Sequence, residues 1–466
     1  MLQPNNQILT VAQMRAAEER LIAAGTGVDA LMQTAGRGAA DYVWRIAAHR
    51  RVTVLCGPGN NGGDGYVIAE AIRERGGTVS VLAAAEPATD AARNARELCQ
   101  AEVHGPEYIA NGDVLVDCLF GSGLTRALSP EHAALLGRLS RSHRHSIAVD
   151  LPSGIESDSG AALNVGLPQH DLTIALGAWK FAHCLMPASA MMGALRLVDI
   201  GVEPVAGAAT MITRPHFAAP APDAHKYRRG LLAVVGGAMP GAAMLACRAA
   251  QGAGAGYVKL FADGAANGPA DLVVSGDSLT AVLTDQRNNA ILVGPGLGRD
   301  SEAHERLAIA LADPVPALVD ADALILLGKR HLAERAAPLI ATPHEGELRA
   351  LEVTFGCNGA GSKADRALAL AQSSGMVVVA KGPDTVVAAP DGRLACATRA
   401  SSWLSTAGSG DVLAGTIASR LASGSEPFVA ACEGVLLHGE AARMCKAPFT
   451  AGDLADMIPS AFAACL

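Results

Sequence analysis

The chain has 466 residues, 37 Lys and Arg against 45 Asp and Glu, a formal net charge of −8, and 50% hydrophobic but only 3% aromatic residues. A length beyond what one core usually supports predicts two domains or more. The acidic balance excludes a general nucleic-acid or membrane-surface binder, and 51 glycines with abundant alanine fit closely packed α/β layers.

In chain order, the polar stretch Met1–Thr10 lacks a signal-peptide core. Helical periodicity runs from Val11 to about Ile46, broken near Gly25–Gly27. An alternation then predicts strands at Arg51–Cys56, Thr78–Ala83, Asp113–Phe120 and Ser146–Leu151, with helices at Gly65–Arg75, Ala91–Ala101 and Pro130–Arg141. Leu172–Ala178 and Ala194–Ile200 read as further strands. Such alternation implies a mostly parallel sheet covered on both faces, with functional loops at the carboxyl ends of its strands. Three of those ends are polar or glycine-rich: Gly57–Gly65 (GPGNNGGDG), Asp117–Leu124 (DCLFGSGL) and Asp150–Gly154 (DLPSG). Asn61, Asp117 and Ser153 offer hard oxygens that suit a weakly charged cation better than zinc. Each Asp has a plainer alternative as a turn or cap residue.

Residues Thr213–Asp223 (TRPHFAAPAPD) hold three prolines and little periodicity, which predicts a junction at 213–223 between domains 1–212 and 224–466. Beyond it Leu231–Gly236 is a predicted strand leading into a helix at Gly241–Ala253. Strands at Ala290–Val293, Ala317–Val319, Leu339–Ala341 and Met376–Ala380 end in Gly294–Gly298, Asp320–Asp322, Thr342–Glu345 and Lys381–Gly382. Thr406–Gly415 (TAGSGDVLAG) turns tightly into a helix, aiming free amides at an anion beside the Asp411 carboxylate. That pattern suits phosphoryl transfer onto an alcohol with Asp411 as the proton acceptor; taken alone, Asp411 could equally cap a helix. Lys381 could hold phosphate or be a solvated charge, and His344 could face the crevice or cap a helix. The ten cysteines show no CxxC pair or zinc spacing, which predicts buried reduced thiols. With no apolar run long enough to span a membrane, a soluble cytoplasmic protein is expected.

In sequence, His225-Lys226…Gly230, Gly236-Gly237…Gly241-Ala242, Gly294–Gly298, Asp320–Leu324, Thr342-Pro343-His344, Lys381-Gly382…Thr385 and Gly408–Asp411 resemble the ADP-dependent NAD(P)H-hydrate dehydratases of the ribokinase-like superfamily. The likeness runs to about Pro459, and Tyr227 departs from it where a small residue is common. It implies that ADP phosphorylates the ring hydroxyl of (S)-NAD(P)HX and that phosphate then leaves, giving NAD(P)H and AMP. Lys381, Gly382, Pro383, Asp384, Thr385 and Gly410 would bind the nucleotide with Mg²⁺. Ala242, Gly296, His344 and Asp411 would contact the hydrated cofactor, with Asp411 as base.

From about Val11 to Gly201 the first half resembles the NAD(P)H-hydrate epimerase domain. That resemblance implies K⁺ held by Asn61, Asp117 and Ser153. The hydrated cofactor would lie on Asn60, Asn61, Gly62, Gly63 and Asp64, on Gly121, Ser122, Gly123, Leu124, Thr125, Arg126 and Ala127, and on Asp150. Asp150 and Lys180 would handle the proton as the R epimer becomes the S epimer. The expected architecture is α/β in two domains, an N-terminal Rossmann-like three-layer sandwich and a C-terminal ribokinase-like domain. The expected whole is a bifunctional repair enzyme taking NAD(P)HX and ADP, with no nucleic-acid or membrane partner, and a homo-oligomer. Its rivals are a vitamin-precursor kinase fused to another domain, and a first half serving only as an interaction scaffold.

Overall fold

Short runs of Val, Leu, Ile and Cys, buried on both faces, form the strands of two α/β units. The computed structural model describes residues 4–262 and 268–466 and divides at Met211/Ile212. The strands of the first unit are β1 (Gln7–Ile8), β2 (Val52–Cys56), β3 (Val79–Ala83), β4 (Glu102–His104), β5 (Gly112–Cys118), β6 (His143–Val149), β7 (Leu172–Leu176), β8 (Ala194–Val198) and β9 (Ala209–Met211). Seven of them make one parallel sheet in the order β4-β3-β2-β5-β6-β7-β8. The chain leaves β2 in one direction and restarts beside it at β5, so a crevice opens at the carboxyl ends of that pair. β1 pairs antiparallel with β9. Helices Val28–Ala47 and Asn60–Glu74 pack on one face of the sheet and Pro130–Ser142 on the other, giving three layers.

The second unit holds β10 (Leu231–Val235), β11 (Tyr257–Phe261), β12 (Val273–Ser275), β13 (Asn288–Val293), β14 (Ala317–Val319), β15 (Leu339–Ala341), β16 (Val377–Ala380), β17 (Val386–Ala388) and β18 (Leu394–Cys396). Their order is β18-β17-β16-β15-β14-β13-β10-β11-β12, parallel from β12 to β16 and antiparallel thereafter. The switch point lies between β10 and β13. Helices Pro240–Gly252, Ser409–Ala422 and Pro427–Met444 cover one face; a Cβ on Gly415 would lie 2.0 Å from the Ala246 carbonyl oxygen, so glycine sets their closest approach.

Several elements differ from the sequence expectation. The helix expected at Gly65–Arg75 is Asn60–Glu74, so Asn60–Asp64 form its first turn rather than a loop. Polar residues and glycines give no apolar periodicity there, while backbone contact demands them: a Cβ on Gly62 would lie 1.9 Å from the Gly57 oxygen. Strands β11, β12, β17 and β18 were not expected; β12, β17 and β18 are only three residues long. Within the proline-rich 213–223 stretch, Phe217 is anchored in the second unit: its amide donates to the Cys465 oxygen at 2.7 Å and its ring stacks on Phe462 at 4.6 Å. No disulfide joins any of the ten cysteines.

Candidate active sites

In the first unit β6 delivers Asp150 to the crevice with φ of +64°, a left-handed backbone that a non-glycine residue adopts at a cost. Its Oδ2 accepts the Ser122 amide at 2.8 Å and its Oδ1 accepts the Lys180 ammonium at 2.5 Å. A Cβ on Gly121 would lie 2.9 Å from Asp150 Oδ2 and 3.3 Å from Asn61 Oδ1, so glycine here lets all three groups converge. Both polar atoms of the Asn61 amide are buried with no hydrogen-bond partner. Asp117, at the end of β5, accepts the Ser153 hydroxyl at 2.7 Å, the Ser153 amide at 3.0 Å and the Leu119 amide at 3.1 Å. Asn60 accepts from the Thr89 hydroxyl at 2.7 Å, and Thr125, Arg126 and Ala127 are exposed. The first helix, Val11–Ala23, adds a cation: Arg15 lies 4.0 Å from a Cβ placed on Gly123.

Lys180 is only 1% exposed and also donates to the Leu176 oxygen at 2.7 Å, so it is no solvated surface charge. The N-terminal segment holds the preceding residue, Trp179. Leu9 donates to the Trp179 oxygen at 2.8 Å and Trp179 to the Gln7 oxygen at 3.1 Å. Burial pushes the Asp64 carboxyl well up, and the Asp150 charge pushes it further. Glu18 is also raised, first by burial, with Lys180 opposing. Asp150 is equally desolvated, yet the Lys180 ammonium and the Ser122 amide hold it below the ordinary carboxylate value. One carboxylate held low beside carboxyls pushed up is the arrangement that separates a base from acids.

In the second unit β14 ends at Asp320, whose Oδ1 accepts the Thr342 hydroxyl at 2.7 Å and the Lys381 ammonium at 2.5 Å. Lys381 Nζ lies 4.0 Å from Glu347 and 3.6 Å from a Cβ placed on Gly410. Asp411 stands in the first turn of Ser409–Ala422, whose cap Gly408 (φ +88°) supplies no side-chain hydrogen bond. The orphan amides of that turn make an anion site. Burial, then the charges of Asp320 and Asp322, raise Asp411 to about 6, against the pull of Lys381. Gly294 (φ +131°) and Gly296 (φ +65°) permit close passage of the Gly294–Gly298 loop, since their Cβ atoms would lie 1.8 Å from the Asp320 oxygen and 2.1 Å from the Met239 oxygen.

His344 caps helix Glu345–Phe355, its Nδ1 accepting the Gly346 and Glu347 amides at 3.0 and 3.2 Å, with the ring largely exposed. In the Lys381–Thr385 stretch, Asp384 is held by Lys363 at 2.6 Å and the Thr385 hydroxyl closes its own turn onto the Gly382 oxygen at 2.9 Å. Gly382 and Pro383 are exposed, and Ala242 is half-buried in the first turn of Pro240–Gly252. Sequence reasoning missed Gln7, Glu18, His183 and His438, because each is defined by groups distant in the sequence. His438 Nε2, for example, lies 2.9 Å from the Ser409 oxygen that begins the Asp411 helix.

Among the described residues no three His, Cys, Asp or Glu side chains cluster as a metal site, and no helix is long and apolar enough to cross a membrane. Residues 28–182 match the family model of the YjeF-related protein N-terminus and residues 232–462 that of NAD(P)H-hydrate dehydratase. The bifunctional NAD(P)H-hydrate repair enzyme Nnr of Moorella thermoacetica is 33% identical, covering 92% of this chain and 91% of that protein. The enzyme of the same name from Salinibacter ruber is 33% identical over 97% and 95%, and that from Escherichia coli K12 is 34% identical over 87% and 83%. A solved ADP/ATP-dependent NAD(P)H-hydrate dehydratase from Bacillus subtilis, co-crystallised with ATP and Mg²⁺, is 26% identical; it covers 54% of this chain and 95% of its own, with a TM-score of 0.46. Matched almost end to end by these relatives, with both domain models in order, the chain belongs to the family of bifunctional NAD(P)H-hydrate repair enzymes.

Proposed function

We propose that Asp150 is the epimerase base and Asp411 the dehydratase base of a two-step repair of hydrated nicotinamide cofactor. The observation that carries the reading is that each crevice holds one carboxylate prepared for proton transfer. Asp150 is kept ionised by Lys180, and Asp411 is tuned to about 6 on an uncapped helix N-terminus. In the first unit Asp150 takes the hydroxyl proton of (R)-NAD(P)HX and returns it after ring opening and closure on the other face. Lys180 fixes the carboxylate, and the loop Gly121–Ala127 with Asn60–Asp64 cradles the cofactor.

The hard-oxygen set of Asn61, Asp117 and Ser153 fits K⁺, because the Asn61 amide is buried and unpartnered. Such an ion would screen the charge of a bound diphosphate. In the second unit Asp411 accepts the proton of the (S)-hydroxyl as that oxygen attacks the β-phosphorus of ADP, releasing AMP. Phosphate then leaves the ring as the neighbouring ring carbon gives up a proton and the double bond closes, where hydroxide would leave poorly. The amides of Gly410 and Asp411, with Lys381–Thr385, face the nucleotide, and Ala242, Gly296 and His344 the hydrated ring. The carboxylate of Asp320 is a hard donor suited to Mg²⁺, which would neutralise phosphate charge. Ten cysteines with no disulfide among them fit a cytoplasmic setting.

Incubation with mixed R and S NADHX, ADP, Mg²⁺ and K⁺ tests the reading through absorbance at 340 nm and phosphate release. Complete recovery of NADH with one phosphate each supports it. Recovery that stops at the S fraction would remove the epimerase step, and no NADH at all would return the second unit to a kinase of another alcohol.

A further inference from the structure

We propose that His183 is a positioning residue for epimerisation: one imidazole ring clamps the backbones of both Asp150 and Lys180. The proposal rests on the reading of Asp150 as base. His183 Nδ1 lies 2.9 Å from the Lys180 amide nitrogen and Nε2 lies 2.9 Å from the Asp150 carbonyl oxygen. An amide N–H can only donate, so Nδ1 accepts; Nε2 therefore carries the proton and donates to the carbonyl. A single tautomer thus ties together the two residues whose side chains meet at 2.5 Å.

The need for such a clamp lies in Asp150 itself. A left-handed backbone at a non-glycine residue persists only when its surroundings over-determine it. His183 is 1% exposed and packs edge-on against Trp179 with ring centroids 5.5 Å apart, so it acts through Asp150 and not on the cofactor. Burial, then the Lys180 ammonium, keep the ring neutral at physiological pH, with its pKa near 4. A ring protonated on both nitrogens would turn an N–H toward the Lys180 amide and break the clamp.

Two variants of the full chain separate its two bonds. His183→Gln places an amide donor near the position of Nε2, whereas His183→Asn keeps only an acceptor near that of Nδ1. With K⁺ and purified (R)-NADHX, His183→Asn is expected to lower the epimerase kcat on the order of 10–100-fold at an unchanged KM. His183→Gln is expected to restore most of that kcat. Circular dichroism and a thermal melt confirm that each variant is folded, and Asp150→Asn is run beside them. If Asp150→Asn is inactive while both folded His183 variants turn over at the parental kcat, the clamp is overturned and the base reading stands. A rise in KM equal to the loss in kcat, or equal losses in both variants, would also overturn it. An active Asp150→Asn would overturn the base reading, and the clamp with it.

Discussion

At the scale of single residues the two sites show how neighbouring charge moves two buried carboxylates in opposite directions. Asp150 sits against an ammonium and stays ionised, while Asp411 faces Asp320 and Asp322 and rises to about 6. A base works only when deprotonated, so dehydratase kcat/KM is expected to be flat above pH 6 and to fall as pH drops through it. Asp411→Asn should abolish that limb and lower kcat by roughly 10²–10⁴-fold, with ADP binding retained in calorimetry. His438 gives a stability prediction of definite sign. Burial holds it near 4 when folded against 6.5 when unfolded, so the unfolded chain binds the extra proton between those values. Its contribution is complete above pH 6.5 and lost as pH falls toward 4. Replacing it with Gln should remove up to one proton from the pH slope of the unfolding free energy, measured by urea titration between pH 4 and 7.

At the scale of elements, glycine spacing decides how closely helices and loops can lie. Gly415 occupies a helix interior, where alanine ordinarily gains about 1 kcal/mol of helix propensity. Here its Cβ would lie 2.0 Å from the Ala246 carbonyl oxygen, and backbone cannot turn aside as a long side chain can. Overpacking of that kind costs roughly 1–3 kcal/mol, so Gly415→Ala should lower the melting temperature despite the better propensity. The N-terminal segment makes a similar point. Gln7 is fully buried, and its side chain donates to the Glu203 oxygen at 3.2 Å and accepts from the Val205 amide at 3.0 Å. A chain beginning at Thr10 should lose epimerase turnover, since Trp179 and Lys180 lose their support. Dehydration of (S)-NADHX, measured at 340 nm, should continue.

At the scale of the molecule, Asp150 and Asp411 belong to separate units, each with its own largely parallel sheet and hydrophobic core. Epimerisation and dehydration should therefore be separable. The Asp150→Asn protein should convert only the S epimer, and the Asp411→Asn protein should equilibrate the epimers without releasing phosphate. Mixing the two should restore conversion of both epimers, which chiral separation of the remaining NADHX would follow.

The alternation of apolar runs and turn residues was enough to place two α/β halves, and the strand-end motifs and the glycine-rich turn before Asp411 singled out Asp117, Asp150, Asp320 and Asp411, whose roles the family resemblance supplied. Those features are legible because hydrophobic period and glycine-rich turns act over a few residues. Strand order, the burial of Lys180 and the roles of Gln7, His183 and His438 were not. The resemblance names Lys180 as a proton-handling residue, but nothing local shows it buried until a carboxylate 30 residues upstream meets it at 2.5 Å, and His183 reads as one histidine among 13. Packing decides these matters, because desolvation and hydrogen bonding depend on what distant chain arrives beside a group, and no local pattern encodes that arrival.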